Sequence, residues 1–268
     1  MEDSNSRQTD WSHDPATIDE LIVDAKSRGF PATKRLIYDW VEKGLLDHPE
    51  RRTRGSGGSD KALWSSNQRN LFRILAAKRR TVKSIATLCN VPVGMWLLWG
   101  DEYVPVRQVQ RALRTWAGNS VKVSWTTARR QAREIVNTLD ASGGSPAQRD
   151  GLIEVLAKIG YSGPNPEFNR AELEAAVNDV FDPVVARDTV ELIAARIRGL
   201  RAAKTVSEDD LIWAREVVYS TISRVVLEFS VTAYTFKPGV VTPALVPEDF
   251  MNTACPKLCL ILGGSARQ

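Results

Sequence analysis

The side chains best placed to do chemistry in this sequence are cations, and the chemistry they suit is the capture of a polyanion. Thr33, Lys34 and Arg35 stand together, with Tyr38 one helical turn further on. Arg51, Arg52 and Arg54 precede Gly55-Ser56-Gly57-Gly58, and Lys61 follows. Arg and Lys donate to guanine O6 and N7, and Thr contacts a thymine methyl group or a phosphate. A Tyr hydroxyl one turn along a helix reaches a phosphate, and arginines on a glycine-rich arm suit the backbone or the narrow minor groove. The glycine run lacks the GxxxxGK[ST] pattern, so it is not read as a nucleotide cradle. The other reading of 51–61 is a basic linker.

Other chemistries find few residues. His13 and His48 are the only histidines, and no Ser-His-Asp set or dinucleotide fingerprint is present. Glu172/Glu174 and Asp209/Asp210 read as helix-end acids rather than catalytic pairs. Cys89, Cys255 and Cys259 are too few for a disulfide framework and, with two histidines, poor material for a four-ligand zinc site. The expectation is therefore no enzyme, no metal and no cofactor. Three cysteines and the absence of a basic, apolar leader fit a reducing cytoplasm, here at the nucleoid. No run of 18 apolar residues suggests a membrane span.

Charge sharpens the picture. The 268 residues carry a net +4, yet residues 1–135 hold 23 Lys and Arg against 15 Asp and Glu, and residues 136–268 hold 13 against 17. Between Lys26 and Lys83 the balance is 15 basic to 5 acidic. Such asymmetry suggests two modules, the basic one facing nucleic acid.

The elements that must position these cations follow from caps and periodicity. After a polar lead-in over residues 1–14, expected to be disordered, Thr17 and Glu20 form a capping box. Ile18, Leu21, Ile22 and Ala25 then share one helical face. Gly29 and Pro31 end that helix. Thr33 caps the next, with Leu36, Ile37, Trp40 and Val41 inward and Gly44 as its stop. Two helices joined by a short turn predict a helix-turn-helix whose second helix offers its N-terminal residues to the major groove. The arginine and glycine segment reads as a wing. Ser65 opens a further helix bearing Arg69, Arg73, Lys78, Arg79 and Arg80, and Thr81 or Ser84 opens another.

The run Leu36-Ile37-Tyr38-Asp39-Trp40-Val41-Glu42-Lys43-Gly44-Leu45-Leu46, then Arg51, Arg52, Arg54 and Lys61, then Leu63-Trp64, resembles the MerR family of bacterial transcription regulators over about Thr17 to Cys89. The resemblance implies a winged helix-turn-helix that binds double-stranded DNA. Tyr38-Asp39-Trp40 departs from the family's Arg-Tyr-Tyr, and an acidic Asp39 repels phosphate unless a neighbour pairs with it. The long dimerisation helix usual in the family is interrupted here at Ala141–Pro146.

Trp96, Trp99, Tyr103 and Trp116 read as core closing the first domain. Arg107, Arg111 and Arg114 flank a helix, where they either touch phosphates or form a solvated face. Helices are expected over 124–139, 146–159 (ended by Gly160), 169–181, 183–203 and 207–234. The proline-containing stretch 237–268 is expected to be irregular. The fold class is thus mainly α: a winged helix-turn-helix domain over 15–140 and an all-α domain over 146–268 for dimerisation or effector binding. The expected function is a sequence-specific regulator that binds double-stranded DNA as a homodimer on an inverted repeat. Two other uses of such a domain stay open: a DNA-architecture or recombination accessory factor of the excisionase kind, and an interaction module whose basic face meets an acidic protein.

Overall fold

A computed structural model describes residues 12–50, 62–119, 124–138, 144–161, 169–228 and 248–264. The protein is mainly α, with eleven helices among the described residues: α1 Ile18–Ser27, α2 Lys34–Glu42, α3 Ser66–Arg79, α4 Ile85–Trp99, α5 Val106–Asn119, α6 Trp125–Thr138, α7 Pro146–Tyr161, α8 Arg170–Asn178, α9 Pro183–Thr205, α10 Glu208–Glu228 and α11 Glu248–Gly264. Most begin where a side chain can accept from an otherwise orphaned backbone amide. Thr17, Thr33, Ser65, Ser84, Asn169 and Asp182 each do this at the start of α1, α2, α3, α4, α8 and α9. At α1 the capping box is complete, with the Thr17 backbone N–H donating to Glu20 Oε2 at 2.6 Å. That donation holds the Glu20 carboxyl below its ordinary range.

The chain forms two compact units, Met1–Trp116 with Ser207–Cys255, and Ala117–Val206 with Pro256–Gln268. In the first, Trp40, Trp64, Phe72 and Trp96 are the largest of the fully buried side chains, with Leu21, Ile37, Leu45, Leu46 and Leu71 around them. Phe30 stacks on Trp40 at 5.8 Å between ring centroids, and Trp40 meets Phe72 at 5.6 Å. Trp96, Trp99 and Trp116 are buried as core residues. Residues of α10 belong to this unit: the Tyr219 hydroxyl donates to the Leu98 carbonyl at 3.0 Å, and the Arg215 guanidinium lies over the Trp96 and Tyr219 rings.

In the second unit, Ala128, Ala132 and Val136 of α6 join Leu152, Ile153, Leu156 and Ala157 of α7, Leu173 and Val177 of α8, and Ala186 and Val190 of α9 in one apolar cluster. The stretch Ala141–Pro146, expected as a domain boundary, therefore falls between two helices of one core, with Pro146 the first residue of α7. Gly160 does not end its helix, since α7 runs through it to Tyr161. The expectation of irregular structure over 237–268 is corrected for α11, which is helical with Pro256 inside it; residues 237–247 lie outside the described residues. A proline costs one backbone hydrogen bond and crowds the preceding turn. Burial of Ala254, Cys255, Leu258 and Cys259 along one side of the helix offsets that cost.

No strand occurs among the described residues. Two isolated antiparallel bridges, Ala16 with Trp64 and Glu50 with Leu63, flank the segment expected to be a wing. Residues 51–61 themselves lie outside the described residues, and a wing requires paired strands.

Gly44 carries the sharpest local constraint. Its φ is +74°, and a Cβ there would lie 2.2 Å from the Ala112 backbone nitrogen and 2.7 Å from the Arg111 carbonyl carbon. A left-handed L residue costs about 1–2 kcal/mol before any clash. Gly44→Ala should therefore lower the unfolding free energy by more than about 3 kcal/mol. Gly118→Ala, on a helix with open space around it, should be neutral or stabilising by up to about 1 kcal/mol. Urea denaturation of both variants checks this; equal midpoints would contradict it.

Candidate nucleic-acid interface

The site is built from α2 and from what holds its inner face. Residues 28–33 join α1 to α2, and Gly29 takes the left-handed conformation there at φ +70°. Ile37, Trp40 and Val41 are buried, so α2 has one possible orientation in its unit. Its other side presents Thr33, Lys34, Arg35 and Tyr38, all exposed, with Tyr38 at 54%. Of the expected site, Lys34, Arg35 and Tyr38 thus share one side of the helix, with Thr33 exposed at its cap. The other four, Arg51, Arg52, Arg54 and Lys61, lie outside the described residues.

Two ion pairs modulate this face. Lys34 Nζ lies 2.9 Å from Asp19 Oδ1, across from α1. Asp39 pairs with Lys43 at 2.7 Å, one turn along α2. Asp39 thereby loses the repulsive character that its position suggested. Both pairs are solvent-exposed and contribute little to stability, at most about 1 kcal/mol each. Arg35 extends from the same turn with no such partner among the described residues.

Behind α2 the chain turns through Gly44 into Asp47, and here the polar contacts are buried. Asp47 is 4% exposed at its side chain. Arg107 donates to it from Nη2 at 2.6 Å and from Nε at 3.1 Å, and Arg111 from Nη2 at 2.9 Å. The Asp47 backbone N–H donates to Gln68 Oε1 at 2.8 Å, and the Trp64 indole donates to the Asp47 carbonyl at 2.9 Å. Gln68 Nε2 donates to Gln108 Oε1 and to the Tyr103 carbonyl, and Gln108 Nε2 donates to the Leu45 carbonyl. The network joins the end of α2, the start of α3 and the first turns of α5. Two of the three arginines that flank α5, Arg107 and Arg111, thus serve as clamps on Asp47 rather than as a free basic stripe.

A second clamp fixes α1 to α3. Arg69 donates to both oxygens of buried Asp24, at 2.7 and 3.2 Å, and Arg73 Nε lies 3.4 Å from the same carboxylate. The bond to Asp24 raises the Arg69 pKa above its ordinary value.

Neither Asp24, Asp47, Gln68 nor Gln108 stood out as functional in the sequence. The pairs they form between two side chains span 40 to 64 residues, and no local pattern reports contacts at that separation. Nucleophilic chemistry has little footing here. Burial pushes the Cys89 and Cys259 thiols up to about 12, so both are protonated at neutral pH. Among the described residues no group of three His, Cys, Asp or Glu side chains could hold a metal ion, and no helix is long and apolar enough to cross a membrane.

Burial pushes the Asp47 carboxyl up, but hydrogen bonds from Arg107, Arg111 and the His48 backbone outweigh it and hold the group below its ordinary range. A lowered folded-state pKa stabilises the fold above the unfolded value, and the contribution is lost as pH falls through the folded value. Asp47→Asn should cost about 1.5–3 kcal/mol at pH 7. Its deficit against the wild type should shrink below about pH 4, as the wild-type carboxylate protonates. Urea titrations at pH 7 and pH 3 test this, and a deficit that is constant with pH would contradict it. No protein family, curated protein or solved structure matches this chain.

Proposed function

We propose that this chain is a sequence-specific regulator that binds double-stranded DNA through a winged helix-turn-helix, with α1 and α2 as the helix pair and residues 51–61 as the wing. The observation that carries the reading is the division of α2 into two faces. Ile37, Trp40 and Val41 are anchored in the core, while Lys34, Arg35 and Tyr38 stand exposed on the other side and Thr33 at the cap. A recognition helix needs this division, because a helix that reads base edges must not rotate when its polar residues are pulled. The bridge between Glu50 and Leu63 supports the wing, since it draws together the two ends of the basic, glycine-rich segment.

Roles then divide by position. Arg35 reads a base edge, Lys34 and Tyr38 contact phosphates beside it, and Arg51, Arg52, Arg54 and Lys61 lie along the backbone or in the minor groove. The regulator works as a homodimer on an inverted repeat. Exposed Val184, Val185 and Leu192 on α9 supply apolar surface for pairing in the second half of the chain. Nothing in this arrangement requires catalysis.

Titration of duplex DNA at several salt concentrations tests the reading. Counterion release predicts a steep fall of log K with log salt, by about 0.9 per phosphate contacted. Arg35→Ala should abolish the preference for one sequence, at about 1–3 kcal/mol. Arg52→Ala and Arg54→Ala should weaken all sequences alike. A slope near zero, or an Arg35 variant with unchanged preference, would overturn the proposal.

A further inference from the structure

Fifteen cations lie between Lys26 and Lys83, and the structure sorts those it describes. Arg69 and Arg73 close on Asp24, Lys34 on Asp19 and Lys43 on Asp39. Arg79 donates to the carbonyls of Val82 and Lys83, which folds the start of the next turn against the end of α3. Arg35 stands on α2; of the rest, Arg28, Arg80 and Lys83 lie at or just beyond the ends of α1 and α3, each without a carboxylate partner among the described residues.

Two of these, Arg28 and Arg80, are far apart in sequence, and the fold brings their helix ends near one another. Arg28 caps the C-terminus of α1 and Arg80 that of α3. The intervening approach is close: a Cβ on Gly29 would lie 3.9 Å from Arg80 Cζ. Lys83 is tethered to the same end of α3 through the Arg79 side chain. No Asp or Glu occurs in 25–38 or in 70–100, the stretches to which these residues belong. Arg28 Nε is buried with no hydrogen-bond acceptor.

The helix dipole explains one or two of these charges, not the group. Its attraction for a cation is about 0.3–1 kcal/mol and fades beyond the last turn, and Lys83 lies past that turn. Like charges held together in a fold are a cost unless an anion answers them. The C-terminal end of α1 also leads directly into the site, since residues 29–33 run from it to the cap of α2.

We infer that the edge formed by Arg28, Arg80 and Lys83 binds the phosphate backbone of duplex DNA flanking the base pairs that face α2, an inference that rests on the DNA-binding reading above. The edge carries no sequence preference. It extends the footprint along the backbone.

The test uses the full chain and the double variant Arg80→Ala/Lys83→Ala, both exposed residues, with an unchanged melting temperature as the control for folding. The slope of log K against log salt should fall by about 1.8, or 0.9 per lost phosphate contact, while the ratio of affinities for preferred and unrelated duplexes stays the same. Shortening the duplex from its ends should produce the same loss in the wild type and no further loss in the variant. A wild-type slope retained by the variant, with duplex binding intact, overturns this inference alone. A wild-type chain with no salt-dependent duplex binding overturns the DNA-binding reading and this inference together.

Discussion

Asp47 is a carboxylate almost without solvent, gripped by two guanidiniums that come from a helix 60 and 64 residues further along the chain. A buried charge is costly unless its lone pairs are filled, and here they are filled by Arg107 and Arg111. The Asp47 backbone is tied as well, to Gln68 and to the Trp64 indole. With Gly44 allowing the backbone of α5 to approach within contact of the turn, α2 emerges at one angle and with one face inward. Buried polar networks rigidify the elements that they join. The orientation of the exposed face of α2 follows from that arrangement.

Among the cations of the first unit, two groups differ in a physical way. Arg69, Arg73, Arg107 and Arg111 meet buried carboxylates, where a planar fork with several donors is needed. Arg35, Arg80 and Lys83 stand in solvent. Counting charge along the chain merges these groups, and only the contacts separate them. The net positive balance of residues 26–83 therefore overstates the charge available to a partner, although the outward remainder is concentrated on α2 and the edge beside it.

Local signals were legible in the sequence because they act over a turn or less. Thr17 with Glu20, Thr33, Ser65 and Asn169 are capping residues whose partners lie two or three positions away, and each helix begins where they indicate. Gly29 and Gly44 marked chain reversals for the same reason. What stayed hidden depends on distant packing. The clamp on Asp47 joins three elements, and nothing near Asp47 in the sequence names its arginines. Residues 141–146 looked like a boundary because glycine, serine and proline gather there, yet the alanines of α6 match the leucines of α7 across it. Pro256 looked like a breaker, and α11 runs through it because buried neighbours outweigh the lost hydrogen bond. Of the candidate site, the exposed face of α2 was readable from periodicity; the pairing of Asp39 with Lys43 followed only once the helix was formed.

The central claim is that the exposed first turns of α2 meet duplex DNA. Backbone amide hydrogen exchange, measured with and without a preferred duplex, tests it most directly. The account predicts slowed exchange over Thr33–Tyr38, with the helices of the second core, Leu152–Ala157 and Leu173–Val177, unchanged. Duplex binding that leaves Thr33–Tyr38 unaltered and protects only the second unit would contradict it.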